Sequence, residues 1–195
     1  MPSRWQLGAV VEDSQKMGDW FQIIADRDAT EKEAPALASS ICDWLISEEI
    51  IEAKLTDCLM GNRLGYPPGP NHRKVADPGI GDDHVDGMEI IIGRTVFHSM
   101  GAPVEMVCTI CEYRFEFSEE AAETVSEWYE RRGSGNFSCP ECGVEWPLAE
   151  WQFEPPWGFG NLGFEFWNWP PFEAFFIEEI SRRLEHRVVC VEGKL

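Results

Sequence analysis

The chain has 195 residues, 44% hydrophobic and 26% charged, with nine Trp and twelve Phe, enough apolar material for a folded core and unlike a disordered chain. Acidic residues number 35 against 16 basic ones, a formal charge of -19; this disfavours nucleic-acid and anionic-membrane binding, which depend on Lys and Arg. No apolar run approaches the ~20 residues of a membrane span, and Met1 to Val11 lacks the charged-then-apolar pattern of a signal peptide, so the expected compartment is the cytoplasm.

Trp5, Leu7, Ala9 and Val11 alternate with other residues at the period of a half-buried strand. The apolar run Trp20 to Ala25 fits either a hairpin partner or the start of a helix. Leu37, Ile41, Trp44 and Leu45 form one helical stripe, which predicts a helix over 35–47 with Pro35 in its first turn. Residues 50–59 are ambiguous, and 61–81 are rich in Gly, Pro and Asn. A loop of that length is uncommon in a compact domain unless it binds something. Met88 to Ile92 and Thr95 to Phe97 are short strand-like runs around Gly93 and Arg94.

From Val104 the chain enters two Cys-x-x-Cys pairs, Cys108/Cys111 and Cys139/Cys142. Each pair can aim two thiolates at one ion, and together they make a closed four-sulfur shell, the pattern of a structural zinc site. A redox dithiol, disulfides and free thiols are the alternatives. Gly143 suits the exit of the second turn, whereas Glu112 occupies the matching place in the first. Seven cysteines, three of them isolated (Cys42, Cys58, Cys190), fit a reducing compartment. Between the pairs, Tyr113 to Phe117 alternates like a strand. Ser118 then caps a helix with Glu119 and Glu120 in its first turn, Arg131 and Arg132 in its last, Gly133 at its end, and Ala121, Val125, Trp128 and Tyr129 as the buried stripe.

Beyond Pro155 and Pro156, Gly158, Gly160 and Gly163 match a G-x-G-x-x-G pattern, but prolines precede it and an aromatic strand over 162–168 follows. A glycine loop packed by aromatic side chains is the better reading, because a dinucleotide site needs a strand before it and a helix after it. A helix is predicted over 171–185, with Pro171 near its start and Phe172, Phe175, Phe176, Ile180 and Leu184 on one face, then a strand over 187–191. With the cysteine segment set aside, the order over 5–11, 35–47, 88–97, 162–168, 171–185 and 187–191 is βαββαβ. The fold class is therefore α+β, a ferredoxin-like core over 1–103 and 154–195 with a zinc ribbon inserted at 104–153 and carrying a helix.

The segment Gly65-Tyr66-Pro67-Pro68-Gly69-Pro70, the run Gly93 to Phe97, the two cysteine knuckles, and the blocks Trp157 to Gly163 and Phe166 to Pro171 together resemble a family of small bacterial proteins with a double CxxC zinc ribbon. The resemblance runs from about residue 57 onward and brings no catalytic residues. Some members carry a sugar-transporter ATPase label, yet this sequence has no G-x-x-x-x-G-K-[ST] phosphate loop.

Asp82, Asp83, His84, Asp86 and His98 carry metal-binding or acid/base side chains, though an acidic run in a Gly-rich loop is ordinarily a solvated turn. Arg182, Arg183, His186 and Arg187 are the one basic cluster and complement the end of the last helix. No hydrolase motif is present, so a non-enzymatic role is expected. The acidity favours a basic protein partner, most plausibly a toxin such as a nuclease masked by an immunity protein. A housekeeping zinc-ribbon adaptor, or less readily a hydrolase using the 66–86 loop, are the alternatives. The partner-binding candidates are Glu120, Glu123, Glu127 and Glu130, one face of the helix between the knuckles.

Overall fold

The computed structural model describes residues 18–77, 85–101 and 103–195. The chain runs β1 (Trp20–Asp26), α1 (Ala34–Ser47), β2 (Thr56–Leu59), β3 (Arg63–Gly65), a 3-10 turn (His72–Val75), β4 (Met88–Phe97), β5 (Glu105–Val107), β6 (Arg114–Glu116), α2 (Glu119–Tyr129), β7 (Asn136–Ser138), β8 (Glu145–Pro147), a 3-10 turn (Leu148–Glu150), β9 (Gln152–Glu154), β10 (Gly158–Trp167), α3 (Ala174–Leu184) and β11 (Val188–Lys194). It is an α+β protein.

Among the described residues the main sheet has four strands in the order β11-β1-β10-β4, every neighbouring pair antiparallel. Its first strand is the run Trp20–Asp26, which the sequence left undecided between strand and helix; the strand expected at Trp5 to Val11 lies outside the described residues. Both α1 and α3 cover one face. Ile24, Met88, Leu162, Phe164 and Phe166 of the sheet meet Ile41 and Leu45 of α1 and Phe176, Ile180 and Leu184 of α3. The opposite face gathers Phe21, Ile23, Ala25, Phe97, Trp167 and Val191, with Leu59 of the β2–β3 hairpin packed on it.

Gln22 is a buried polar residue within β1, and its amide is fully used. Its Nε2 donates to the carbonyls of Trp169 (3.0 Å) and Pro170 (2.9 Å), and its Oε1 accepts the Phe172 N–H at 3.1 Å. These bonds fix the turn that carries the chain from β10 into α3. Just before α1, Thr30 and Glu33 form a reciprocal pair: the Glu33 N–H donates to Thr30 Oγ1 and the Thr30 N–H to Glu33 Oε2, both at 3.3 Å.

Several boundaries differ from the sequence reading. The two strand-like runs around Gly93 join, as the element over 88–97 requires, into the ten-residue strand Met88–Phe97, with a register shift opposite Gly160/Leu162. Gly158, Gly160 and Gly163 lie within β10, not in a loop. They serve close approach: a Cβ on Gly163 would sit 2.5 Å from the Phe97 ring. Helix α3 begins at Ala174, three residues after Pro171, and Phe175 is exposed while Phe176, Ile180 and Leu184 are buried. Residues 61–77, the described part of the 61–81 stretch, hold β3 and a 3-10 turn. Tyr66 bridges to Met88, Pro68 to Ile51 and Ala76 to Phe172.

Candidate metal centre

Two short hairpins present the cysteines. In the first, β5 and β6 flank Cys108 to Cys111; in the second, β7 and β8 flank Cys139 to Cys142. The two turns share one hydrogen-bond pattern. The Cys108 N–H donates to the Tyr113 carbonyl (3.0 Å) and the Glu112 N–H to the Cys108 carbonyl (2.9 Å). The Cys139 N–H donates to the Val144 carbonyl and the Gly143 N–H to the Cys139 carbonyl, both at 2.9 Å. In each turn the residue after the second cysteine is left-handed: Gly143 at φ 68° and Glu112 at φ 59°. Glu112 thus adopts the conformation that glycine takes without cost, and the first knuckle forms despite it.

The four sulfurs lie within 4.8 Å of one another. Cys108 Sγ is 3.9 Å from Cys142 Sγ, and Cys111 Sγ is 3.7 Å from Cys139 Sγ. A disulfide needs about 2.0 Å, so these are free thiols facing a common centre. Four thiolates are a soft tetrahedral donor set able to hold a metal ion. Although burial opposes it, the amides of Cys111 and Ile110 pull the Cys108 thiol down to about 7. Against the pull of the Tyr113 amide, burial and the neighbouring sulfurs of Cys142, Cys108 and Cys139 push Cys111 up to about 12. A cation at the centre reverses that second effect, because it is the crowding of negative sulfurs that disfavours the last thiolate.

Cys108 and Cys139 are buried and Cys111 and Cys142 exposed, so the centre sits at the outer edge of its own small core. That core contains Met106, Ala121, Phe137, Leu148, Trp151 and Phe153, and reaches the main sheet at Phe159. Phe115 is central to its packing, stacked on Phe137 at 6.1 Å and edge-on to Trp151 at 5.8 Å.

Three arginines that sequence reasoning left without a role in this unit tie it to the sheet. From β4, Arg94 Nε donates to the Trp128 carbonyl (2.6 Å) and its guanidinium stacks 3.7 Å over the Trp128 ring. Arg27, just after β1, donates to the Ala149 carbonyl at 2.7 Å. Arg187, just before β11, takes Glu150 with both of its terminal nitrogens and also holds Asp28. Their signal in the sequence is rarity, since a chain this acidic has few cations to place.

The acidic row is placed on α2. Ser118 caps the helix as expected, its side chain accepting the Ala121 N–H at 3.1 Å. Glu119, Glu120 and Glu123 are exposed, Glu127 is half-buried, and Glu130 caps the C-terminus and pairs with Arg132. The helix ends at Tyr129, so Arg131 and Arg132 lie beyond its last turn, and Tyr129 is exposed instead of belonging to the buried stripe of Ala121, Val125 and Trp128. The chain leaves the helix through Arg131 in the left-handed conformation.

Elsewhere, Asp86 accepts a hydrogen bond from Asn168 Nδ2 at 2.9 Å, and Nδ1 of His98 accepts the Met100 N–H at 3.3 Å. Asp82, Asp83 and His84 lie outside the described residues. Among the described residues, the four cysteines are the one group of His, Cys, Asp or Glu close enough to share an ion. The basic cluster is spent internally: Arg182 and Arg183 on Glu179, His186 on the buried Asp26, and Arg187 as above. No described helix is long and apolar enough to cross a membrane.

No family model matches the chain, and no curated protein or solved structure shows a significant likeness to it.

Proposed function

We propose that this is a non-enzymatic acidic binding protein that docks a basic protein partner, in the manner of a bacterial immunity protein masking a basic toxin such as a nuclease. Its frame is a ferredoxin-like core with a structural zinc ribbon inserted between the second and third core strands. The strand order β11-β1-β10-β4, with α1 and α3 on one face, supports the frame. The spacing supports zinc as the ion, since Zn–S bonds of about 2.3 Å in a tetrahedron place sulfurs about 3.8 Å apart. The observed 3.9 and 3.7 Å straddle that value. Four cysteines leave no open coordination position, so the ion stabilises the ribbon instead of activating water. Metal-ready thiols also suit the reducing cytoplasm.

The observation that carries the partner reading is the charge of -19, part of it displayed as exposed carboxylates on α2. Charge of one sign on a rigid mount speeds encounter with a cationic surface and makes the rate sensitive to salt. The arginine ties and the zinc hold that mount still, which leaves little ordering entropy to lose on binding.

The test is association with the product of the neighbouring gene, followed by stopped-flow mixing at low and high salt. Fast binding that slows steeply with salt, and slows again when Glu120, Glu123 and Glu127 are changed to Gln, supports the reading. A neighbour that is neither basic nor bound would leave a housekeeping adaptor as the better account. Binding to a basic neighbour with an unchanged on-rate in the triple variant would move the docking surface off α2.

A further inference from the structure

We propose that the outer edge of β4, with the groove between it, α1 and the β2–β3 hairpin, binds an extended cationic segment of a partner as an added strand. The inference deepens the basic-partner reading and rests on it for the sign of the partner's charge.

The backbone supplies the first half of the argument. Met88 is bonded away from β10: its N–H donates to the Tyr66 carbonyl (2.8 Å) and its carbonyl accepts the Tyr66 N–H (2.9 Å). Backbone groups alternate in direction along a strand, so the N–H and C=O of Ile90 and Ile92 point the same way as those of Met88. Among the described residues no strand meets them there. The hairpin's backbone meets β4 at the Tyr66–Met88 bridge, its Arg63 side chain pairs with Glu89 at 2.7 Å, and in the order of the described strands β4 is an edge. Unpaired edge groups are a template for an incoming strand.

Side chains supply the second half. A groove of about 610 Å³ runs beside this edge, with Ala38, Cys42 and Ile90 among its lining. Three of the protein's exposed large apolar residues line it together: Leu64 (64% exposed), Ile92 (51%) and Leu55 (45%). The charged residues of its lining are Asp43 and Glu89, both acidic; Glu89 is held by Arg63 of the hairpin at 2.7 Å, so the attraction for a cation comes from Asp43 and from the net charge of -19. A strand added here would send side chains of one parity onto Leu64 and Ile92 and those of the other parity toward the face of Glu89. The matching sequence alternates apolar with basic residues. A second copy of this chain fits less well, because pairing would set -19 against -19.

The probe is a capped synthetic peptide of alternating Val and Lys, about eight residues long, the order of a globular strand. The control alternates Val with Glu. Binding to the full chain is followed by titration and by amide hydrogen exchange. The Lys peptide is expected to bind saturably and slow exchange at Ile90 and Ile92, and the Glu peptide to leave both amides unchanged. Ile92→Pro removes an outward N–H, which an edge strand tolerates, and is expected to weaken binding at least about tenfold. Asp43→Lys is a second variant that leaves the backbone untouched and should weaken it too. Absence of binding, equal binding of the Glu peptide, or protection appearing on α2 in place of β4 overturns the proposal. Protection of Ile90 and Ile92 already present in the free monomer would mean that the hairpin itself closes the edge. The same protection accompanied by dimerisation would assign the edge to a second copy. These failures leave the α2 reading intact, since that one is decided with an intact basic protein and the Gln variants.

Discussion

Arg187 grips Glu150 with two hydrogen bonds, Nη1 to Oε2 at 2.9 Å and Nη2 to Oε1 at 3.0 Å, and so joins the start of β11 to the turn at the foot of the cysteine unit. The same guanidinium lies against Asp28, whose carboxylate also accepts the Arg187 backbone N–H at 2.8 Å. Side-chain hydrogen bonding to Arg187 holds both carboxyl groups below the usual range. A carboxylate depressed in the folded state adds stability that is fully present above its unfolded value, roughly 4, and is lost as pH falls through the folded value.

Arg187→Met is therefore expected to lower stability at neutral pH and to flatten the acid limb of the stability profile. The cluster is partly exposed, so the loss is about 1 kcal/mol and not the several that buried ion pairs involve. Urea unfolding from neutral pH down to about pH 3 measures both effects. A variant that keeps the wild-type slope below about pH 4 would show that Asp28 and Glu150 are not coupled to folding through Arg187.

Gln22 offers a sharper loss. Replacing it with Ala leaves the carbonyls of Trp169 and Pro170 and the N–H of Phe172 without their partner in a buried site. A cost of roughly 2–4 kcal/mol is expected, read as a lower urea midpoint with an unchanged slope. A loss within the scatter of surface substitutions would mean that the turn from β10 into α3 is held by its aromatic packing alone.

The two knuckles give substitutions of opposite sign. Glu112→Gly relieves a left-handed non-glycine residue and is expected to raise stability by up to about 1 kcal/mol, the conformational penalty less the entropy of the added glycine. Gly143→Ala imposes the same strain in open space, since nothing lies within 4 Å of the new methyl, and is expected to cost about 1 kcal/mol. Melting curves of the metal-loaded protein compare them. Shifts of the same sign would refute the equivalence of the turns.

How far the sequence reveals this structure depends on whether each element's signal is local. Helix α1 is plain because its apolar stripe repeats at helical period from Leu37 to Leu45, and Ser118 before Glu119 and Glu120 marks the start of α2. The cysteine knuckles are plainer still, since ligand spacing is fixed by the ion and not by the rest of the fold. Strand β1 resists reading because six of its seven residues are buried, which erases the alternation that marks a half-exposed strand. The glycines of β10 read as a loop because nothing nearby in sequence announces what they make room for. Gly160 approaches the Asp26 carbonyl and Gly163 the Phe97 ring, both distant in the chain. Gln22 does carry a signal in the sequence: a lone amide inside the apolar run Trp20 to Ala25 must find buried partners. The α2 stripe is one residue narrower than its period suggests, since Trp128 already covers the sheet through Arg94 and Phe159 and leaves Tyr129 no apolar surface to meet.

The central claim is that one zinc, held by Cys108, Cys111, Cys139 and Cys142, completes the unit that carries α2. Element analysis of the purified chain beside its Cys139→Ser variant tests this most directly. The account expects one zinc per wild-type chain, and in the variant a loss of that zinc with a clear fall in melting temperature, because a closed thiolate site contributes folding energy. A wild-type zinc content near zero, or a variant that melts like the wild type, would contradict it.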